Sequence, residues 1–233
     1  MTTPVEDSTS HPTSPVSTAR CVVVDDHPIV RKGMVALLQE LGDLEVVGEA
    51  GDVPAARIAI EQFQPDILII DLVLKGISAI DFVKELRVRF PVVKILVVSM
   101  MDEIVYGPRL LKAGAHGFIM KGVSAEQLKS AIGTVLEGGI YLNPLVTTTL
   151  IRSGAPTSSG EAGRPIAEVL TDRELEIFRQ IGEGLASREI ANGLSISNRT
   201  VDAHKANIRS KLNLRSMAEL NKLAALWNDE SAQ

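Results

Sequence analysis

At 233 residues with 45% apolar content the chain is long enough for two cores, so two domains are the expectation. Cys21 is its only cysteine, which excludes an intrachain disulfide and a cysteine-built zinc site and fits a reducing compartment. The formal net charge of -5 speaks against nucleic acid for the chain as a whole, although an average over two domains can hide a basic face.

The first stretch, 1–19, is rich in Ser, Thr and Pro, lacks an apolar core and has no basic start. It reads as a disordered tail rather than a signal peptide or membrane anchor. No apolar run approaches the roughly eighteen residues that span a bilayer, so a soluble, cytoplasmic protein is expected. From residue 20 to about 140 short apolar runs alternate with amphipathic segments, the pattern of a five-stranded doubly wound parallel sheet with helices on both faces. The first strand, Cys21 to Val24, ends at Asp25-Asp26, and Pro28 opens a helix where its missing N–H costs nothing. Leu44 to Gly48 is a second strand, followed by a helix from Asp52 to Phe63. The third strand runs through Pro65-Asp66-Ile67-Leu68-Ile69-Ile70 to Asp71. Phe82, Val83, Leu86 and Phe90 then fall at helical spacing, and Lys94 to Ser99 is a fourth strand. Gly107-Pro108 breaks a helix interior, which predicts a fourth helix only from about Pro108 to Ala113, with Asp102-Glu103 in a loop. A fifth strand, His116 to Met120, precedes a helix whose Ser124 and Gln127 form a capping box.

In open α/β sheets function sits at the C-terminal strand ends. Those ends carry Asp25, Asp26, Asp71, Ser99 and Lys121. Singly, Asp25 and Asp26 read as helix caps, Asp71 as the start of a turn, Ser99 as a strand-end serine and Phe118 as core. Together, three converging carboxylates repel, and a hard divalent cation such as Mg²⁺ compensates, with Lys121 adding a second positive charge. Ser99 offers a hydroxyl to an incoming anion. Such a pocket suits an aspartate that accepts a phosphoryl group. His27 and His116 lack a partner at metal spacing and read as surface or packing residues.

The runs Val-Val-Val-Asp25-Asp26-His27, Leu-Ile-Ile-Asp71-Leu, Val-Val-Ser99 and Gly114-Ala115-His116-Gly117-Phe118-Ile119-Met120-Lys121 resemble the flavodoxin-like receiver domain of two-component response regulators. The resemblance implies that Asp71 is the phosphoacceptor and that Asp25, Asp26, Asp71 and the Val73 carbonyl hold Mg²⁺. It implies that Ser99 and Lys121 bind the phosphoryl group and that Phe118 switches with the state of Ser99. Lys75 stands where the family usually has Pro, and Ala79 where it usually has Gly, which bears on the loop after the acceptor and on phosphoryl lifetime.

From about Asn143 to Ala167 periodicity is lost and Thr, Ser, Gly and Pro collect, as in a flexible linker. Beyond it the chain is helical. Thr171-Asp172-Arg173-Glu174 is a capping box, Ser187 is read as the cap of a short second helix, a third runs from Ser197 to about Leu212, and Ser216 to Glu219 cap a fourth. Arg199, Lys205, Arg209, Lys211, Arg215 and Lys222 face only Asp202 and Glu219 between residues 199 and 222, a basic stretch that taken alone reads as a solvated face or as a recognition helix in a major groove. The runs Leu170 to Glu174, Gly184 to Ala191 and Ser197 to His204, with Lys211-Leu212, resemble the LuxR-type helix-turn-helix, and the whole chain resembles a NarL/FixJ-type response regulator. That implies base-edge or groove contacts from Asp202, Ala203, Lys205 and Ala206, and phosphate contacts from Arg199, Thr200, Arg209 and Lys211.

The expected organisation is a tail at 1–19, a receiver at 20–140, a linker at 141–166 and a four-helix DNA-binding domain at 167–230. The expected function is a non-enzymatic transcription regulator, phosphorylated on Asp71 by a sensor histidine kinase, binding double-stranded DNA as a homodimer through its fourth helix, with no membrane partner. Two rivals stand beside it. A phosphatase or phosphotransferase would use Asp71 on small molecules, but no second acid/base is evident. A protein-interaction module would bind a partner with its helical end.

Overall fold

The computed structural model describes residues 18–42, 44–144, 146–147 and 165–231. All but the last two residues of the expected tail, and residues 148–164 of the expected linker, lie outside the described residues. The strands are β1 (Ala19–Val24), β2 (Leu44–Ala50), β3 (Ile67–Ile70), β4 (Val73–Leu74), β5 (Ile77–Ser78), β6 (Lys94–Ser99) and β7 (Gly117–Met120). The helices of the first domain are α1 (Pro28–Leu41), α2 (Val53–Phe63), α3 (Ile80–Arg89), α4 (Glu103–Ala113) and α5 (Ala125–Leu136).

Five strands form one parallel sheet in the order β2-β1-β3-β6-β7. Alternate residues of each strand point to opposite faces, and both faces are apolar, as a parallel sheet under helices on both sides requires. Val22, Val24, Leu68, Ile70, Ile95, Val97 and Phe118 pack on one face, and Cys21, Val23, Ile67, Ile69, Leu96, Val98 and Ile119 on the other. The register sets Val24 beside Ile70, Ile70 beside Val97, and Ser99 beside Met120. The residues that follow these strands therefore emerge at one edge of the sheet.

Two features of this domain differ from the sequence reading. Helix α4 begins at Glu103 rather than near Pro108, because Asp102 caps it by accepting from the Ile104 amide at 2.8 Å. Pro108 forfeits one backbone bond inside the helix. Gly107 lies on the buried face, where an added Cβ would come within 3.1 Å of Val146, so it is a packing residue rather than a break. The second feature is an antiparallel hairpin shortly after β3, in which Val73 pairs with Ser78 and Leu74 with Ile77. Its two-residue loop is Lys75-Gly76, with φ of 53° and 77°, the doubly left-handed geometry of a type I′ turn.

After α5, Tyr141 returns to the sheet and pairs with Gly117 at the free side of β7, and Val146 is buried against α4. The second domain contains α6 (Ile166–Val169), α7 (Asp172–Gly182), α8 (Ser187–Gly193), α9 (Asn198–Lys211) and α10 (Met217–Ser231). Thr171 and Glu174 form the expected capping box at α7, and Ser197 caps α9. Ser187 is the first residue of α8 rather than its cap, since Glu189 turns back to the Ala186 amide and frees the Ser187 hydroxyl for a tertiary bond. Leu175, Phe178, Ile190, Val201, Ile208, Leu220 and Ala224 build the core. Trp227 meets the Phe178 ring edge-on at 5.7 Å.

Candidate functional site

The strand ends bring Asp25, Asp26, Asp71, Ser99 and Lys121 to one edge of the sheet. Asp71 is fixed from its backbone, its amide donating to the Val24 carbonyl at 2.9 Å, and the Asp25 amide donates likewise to Ala50 at 3.1 Å. Lys121 reaches back across the pocket, with Nζ 2.5 Å from Asp71 Oδ2 and 2.7 Å from Asp25 Oδ2. Both carboxylates are buried, so their charge depends on this ammonium. Burial works against the Lys121 charge, but the hydrogen bonds to Asp25 and Asp71 outweigh it and hold the ammonium above the ordinary lysine pKa. Asp71 Oδ1 also accepts from the Val73 amide at 3.3 Å, which orients the second oxygen into the pocket.

Asp26 stands on the outer side. Its Oδ2 accepts from the Lys75 amide at 2.7 Å, while its Oδ1 is buried without a hydrogen-bond partner among the described residues. The His27 ring nitrogen is 2.9 Å from that oxygen, a proximity that helps only when the exposed imidazole is protonated. Ligand atoms of Asp25, Asp26, His27 and Asp71 lie within 4.8 Å of one another. Three carboxylates, one with an unpartnered buried oxygen, form the hard, oxygen-rich donor set that Mg²⁺ takes, so the residues present fit that ion. Ser99 is buried, and its hydroxyl accepts from the Met101 amide at 3.4 Å while its carbonyl accepts from Lys121 at 2.8 Å. Phe118 is fully buried, its amide bonded to the Tyr141 carbonyl at 3.0 Å.

The second candidate surface is α9. Asp202, Ala203 and Ala206 are exposed along one side, as is Arg199, and Lys205, Thr200 and Arg209 are half-buried. Arg199 and Arg209 have no ion pair or hydrogen bond from their side chains among the described residues. Lys205 Nζ donates to the Ser187 hydroxyl at 2.8 Å, which in turn donates to Asp202 at 3.1 Å, so α8 and α9 are joined through Lys205 and Asp202. Thr200 shares its hydroxyl with the Ser197 cap at 2.8 Å. Lys211 is engaged elsewhere: Nζ is 2.6 Å from the buried Glu174 carboxylate. Burial would raise the Glu174 pKa, but Lys211 and the Thr171 donors lower it below the ordinary glutamate value.

The sequence reading missed His27, which lies at the pocket rim; its place beside Asp25-Asp26 is the signal that pointed there. Lys75, noted there only as a departure in the loop after Asp71, pairs its Nζ with Asp52 at 2.7 Å while its amide holds Asp26. A second omission is the set of contacts between the domains. Asp172 accepts from Lys84 at 2.8 Å and from Arg109 at 2.5 Å, and Arg179 and Gln180 donate to the Gly76 carbonyl at 2.8 and 3.1 Å. No helix among the described residues is long and apolar enough to cross a membrane.

Comparison with known proteins finds matches to two parts of the chain. Residues 21–133 match the response regulator receiver domain, and residues 168–224 match the family of bacterial regulatory proteins of the luxR type. The chain is similar to the oxygen regulatory protein NreC of Staphylococcus carnosus, 39% identical over 204 residues that cover 86% of this chain and 94% of the relative. The protein of the same name from Staphylococcus epidermidis is 37% identical over 205 residues, with the same shares covered. Among solved structures, RcsB from Salmonella enterica serovar Typhimurium, bound to promoter P1flhDC in the presence of the phosphomimetic BeF₃⁻, superposes with a TM-score of 0.66 at 25% identity. That match covers 89% of this chain and 98% of the other.

Proposed function

Because the chain belongs to the NarL/FixJ-type response regulators, phosphorylation-controlled DNA-binding transcription regulators, we propose that Asp71 is its phosphoacceptor and that α9 is its DNA-reading helix. The observation that carries the first half is the convergence of Asp71 and Asp25 on Lys121 at 2.5 and 2.7 Å, next to the unpartnered oxygen of Asp26. A carboxylate oxygen of Asp71 attacks the phosphorus of a phosphohistidine on a sensor kinase. The new O–P bond forms as the donor's P–N bond breaks, leaving an acyl phosphate on Asp71. Asp25, Asp26, Asp71 and the Val73 carbonyl would hold Mg²⁺, which when bound neutralises charge on the phosphoryl oxygens. Lys121 exchanges its contact with the Asp71 carboxylate for one with the phosphoryl group. Ser99 gives up the Met101 amide and donates its hydroxyl to another phosphoryl oxygen, and Phe118 follows into the space that Ser99 vacates. The chain turns over no small phosphate ester in this reading; it stores one phosphoryl group as a signal.

On α9, Ala203 can meet a thymine methyl and Asp202 can accept from a cytosine amine, with Lys205 and Ala206 on the same groove-facing side. Arg199, Thr200 and Arg209 would contact phosphates. The Glu174 pair favours a supporting role for Lys211. Two copies would read an inverted repeat with α10 at their contact, in the cytoplasm where both kinase and DNA are met. Incubation with a small-molecule phosphodonor and Mg²⁺ tests the acceptor: wild type becomes labelled and Asp71→Asn does not. Label that persists on the variant would remove Asp71 from the scheme. Reversing the charges of Lys205 and Arg209 should abolish salt-sensitive binding to the operator, and unchanged binding would remove α9.

A further inference from the structure

The two domains meet on one side of α7, and the contact runs back to the acidic pocket through a single turn. Arg109 of α4 is largely buried and donates to Asp172, to the Leu170 carbonyl at 2.6 Å and to the Ala167 carbonyl. Further along α7, Arg179 and Gln180 both donate to the Gly76 carbonyl, and both are braced by Glu176 at 3.0 and 2.7 Å. Gly76 is the second residue of the hairpin loop. The first, Lys75, gives its amide to Asp26. One peptide unit thus separates a carboxylate of the cation pocket from the anchor of the output domain.

The hydrophobic core runs continuously through both domains, but the polar part of the contact is incomplete. The Tyr106 hydroxyl and the Arg179 Nε are buried at it without hydrogen-bond partners among the described residues. Both recover hydration when the domains part, so docking is opposed by its own unsatisfied groups, as suits a contact made to be broken. Docking also leaves the outer side of α9 open: Asp202, Ala203, Ala206 and Asn207 are exposed while the domains touch. What the contact governs is the placing of the output domain, and not access to its reading helix.

We propose that the Lys75–Gly76 turn is a latch through which the acidic pocket holds the output domain against the receiver. When a divalent cation takes the free Oδ1 of Asp26 and swings the carboxylate round, Oδ2 is drawn off the Lys75 amide, the left-handed turn relaxes, and the Gly76 carbonyl releases Arg179 and Gln180. The trigger rests on the reading of Asp26 as a cation ligand; the latch itself rests on the turn. No phosphoryl transfer is needed for the first movement, which distinguishes this route from one that runs through Ser99 and Phe118.

The test uses the full chain spin-labelled at Lys32→Cys and Lys222→Cys, two exposed positions, with the native Cys21 wholly buried and unreactive. Label-to-label distances are read without metal and with Mg²⁺ alone, and Mg²⁺ binding is followed by calorimetry. The expected result is one narrow distance without metal and a several-fold loss of that population once Mg²⁺ binds. Lys75→Pro, which cannot take a left-handed φ and has no amide to give Asp26, should show the broad distribution without metal. Should Lys75→Pro not fold, Asp26→Ala, which removes the acceptor of the Lys75 amide, takes its place: the broad distribution without metal is expected, and a docked fraction equal to that of wild type overturns the proposal. Mg²⁺ heat with no change in distance overturns the latch and leaves the pocket reading standing, whereas absence of Mg²⁺ heat removes the pocket reading and the trigger with it.

Discussion

Lys121 is where the electrostatics of the receiver are concentrated. Two buried carboxylates share its ammonium, and nothing else of positive charge approaches Asp71 among the described side chains. Replacing Lys121 with Met, similar in length and without charge, leaves Asp25 and Asp71 uncompensated. Breaking a buried pair from one side costs about 3 kcal/mol or more, because the remaining charge stays desolvated. The expected outcome is a metal-free protein with a markedly lower melting temperature, and a melting temperature that Mg²⁺ raises more steeply than in wild type. Equal stability of the two proteins without metal would show that the carboxylates do not rely on Lys121. Cys21 offers a separate check on the core: burial pushes its thiol up to about 12, so a thiol reagent at neutral pH should modify it only at the rate of global unfolding. These residues were legible in the sequence because an aspartate or lysine that closes an apolar strand is conspicuous. The place of His27 was not, and of Lys75 only its position in the loop was, since an exposed ring and a surface lysine acquire partners only from what the fold sets beside them.

At the scale of elements, the strand pairing of β6 and β7 carries a titratable group. His116 Nδ1 accepts from the Ile95 amide at 3.1 Å, and burial, aided by Lys94 and Arg87, lowers its pKa from 6.5 to about 4. The unfolded chain therefore binds more protons than the folded one across that window, and stability falls as pH drops from 6.5 towards 4. His116→Asn keeps an acceptor for the amide and removes the titration, so its urea midpoint should fall less than that of wild type between those limits. Parallel curves for the two proteins would exclude His116 as the source. On α9 the elements make a sharper distinction than charge alone. Arg209 carries no side-chain partner among the described residues and Lys211 is spent on Glu174, so Arg209→Ala should lower the salt slope of DNA binding by about one unit. Lys211→Ala should instead lower stability and leave the slope nearly intact, because it strands the buried Glu174. The alternation of strands and helices was readable from periodicity, and the caps at Thr171 and Ser197 from side-chain chemistry. The hairpin at Lys75-Gly76 was not, because Lys is an unusual residue at a positive φ. The start of α4 was hidden by Gly107-Pro108, whose role in packing against Val146 appears only once the segment after α5 is in place.

For the whole molecule, the question is what balance of charge and apolar packing holds two domains together when one hydrophobic cluster runs through both. Asp172 receives Lys84 and Arg109 from two different receiver helices, and it opens α7, where a negative charge also favours the helix terminus. Burial would raise its pKa, but the two cations lower it below the ordinary aspartate value, so the carboxylate stays charged at neutral pH. Asp172→Asn keeps the Thr171–Glu174 capping box and hence the output domain, but leaves Arg109 with carbonyls alone. Hydrogen bonds to charged groups contribute about 1.5–3 kcal/mol each. Losing one such contribution shifts the docked-to-open ratio by roughly ten- to a hundredfold. Small-angle scattering should then give a larger radius of gyration for Asp172→Asn than for wild type at low salt. Raising ionic strength should bring wild type towards the variant, since Lys84 is half-exposed and its share of the contact is screened, while the variant has less left to lose. A variant as compact as wild type at every salt concentration would mean that apolar packing, rather than the Asp172 and Gly76 contacts, joins the domains. The Lys75–Gly76 turn would then have nothing to release, so this one measurement bears on the latch without any use of metal or phosphodonor.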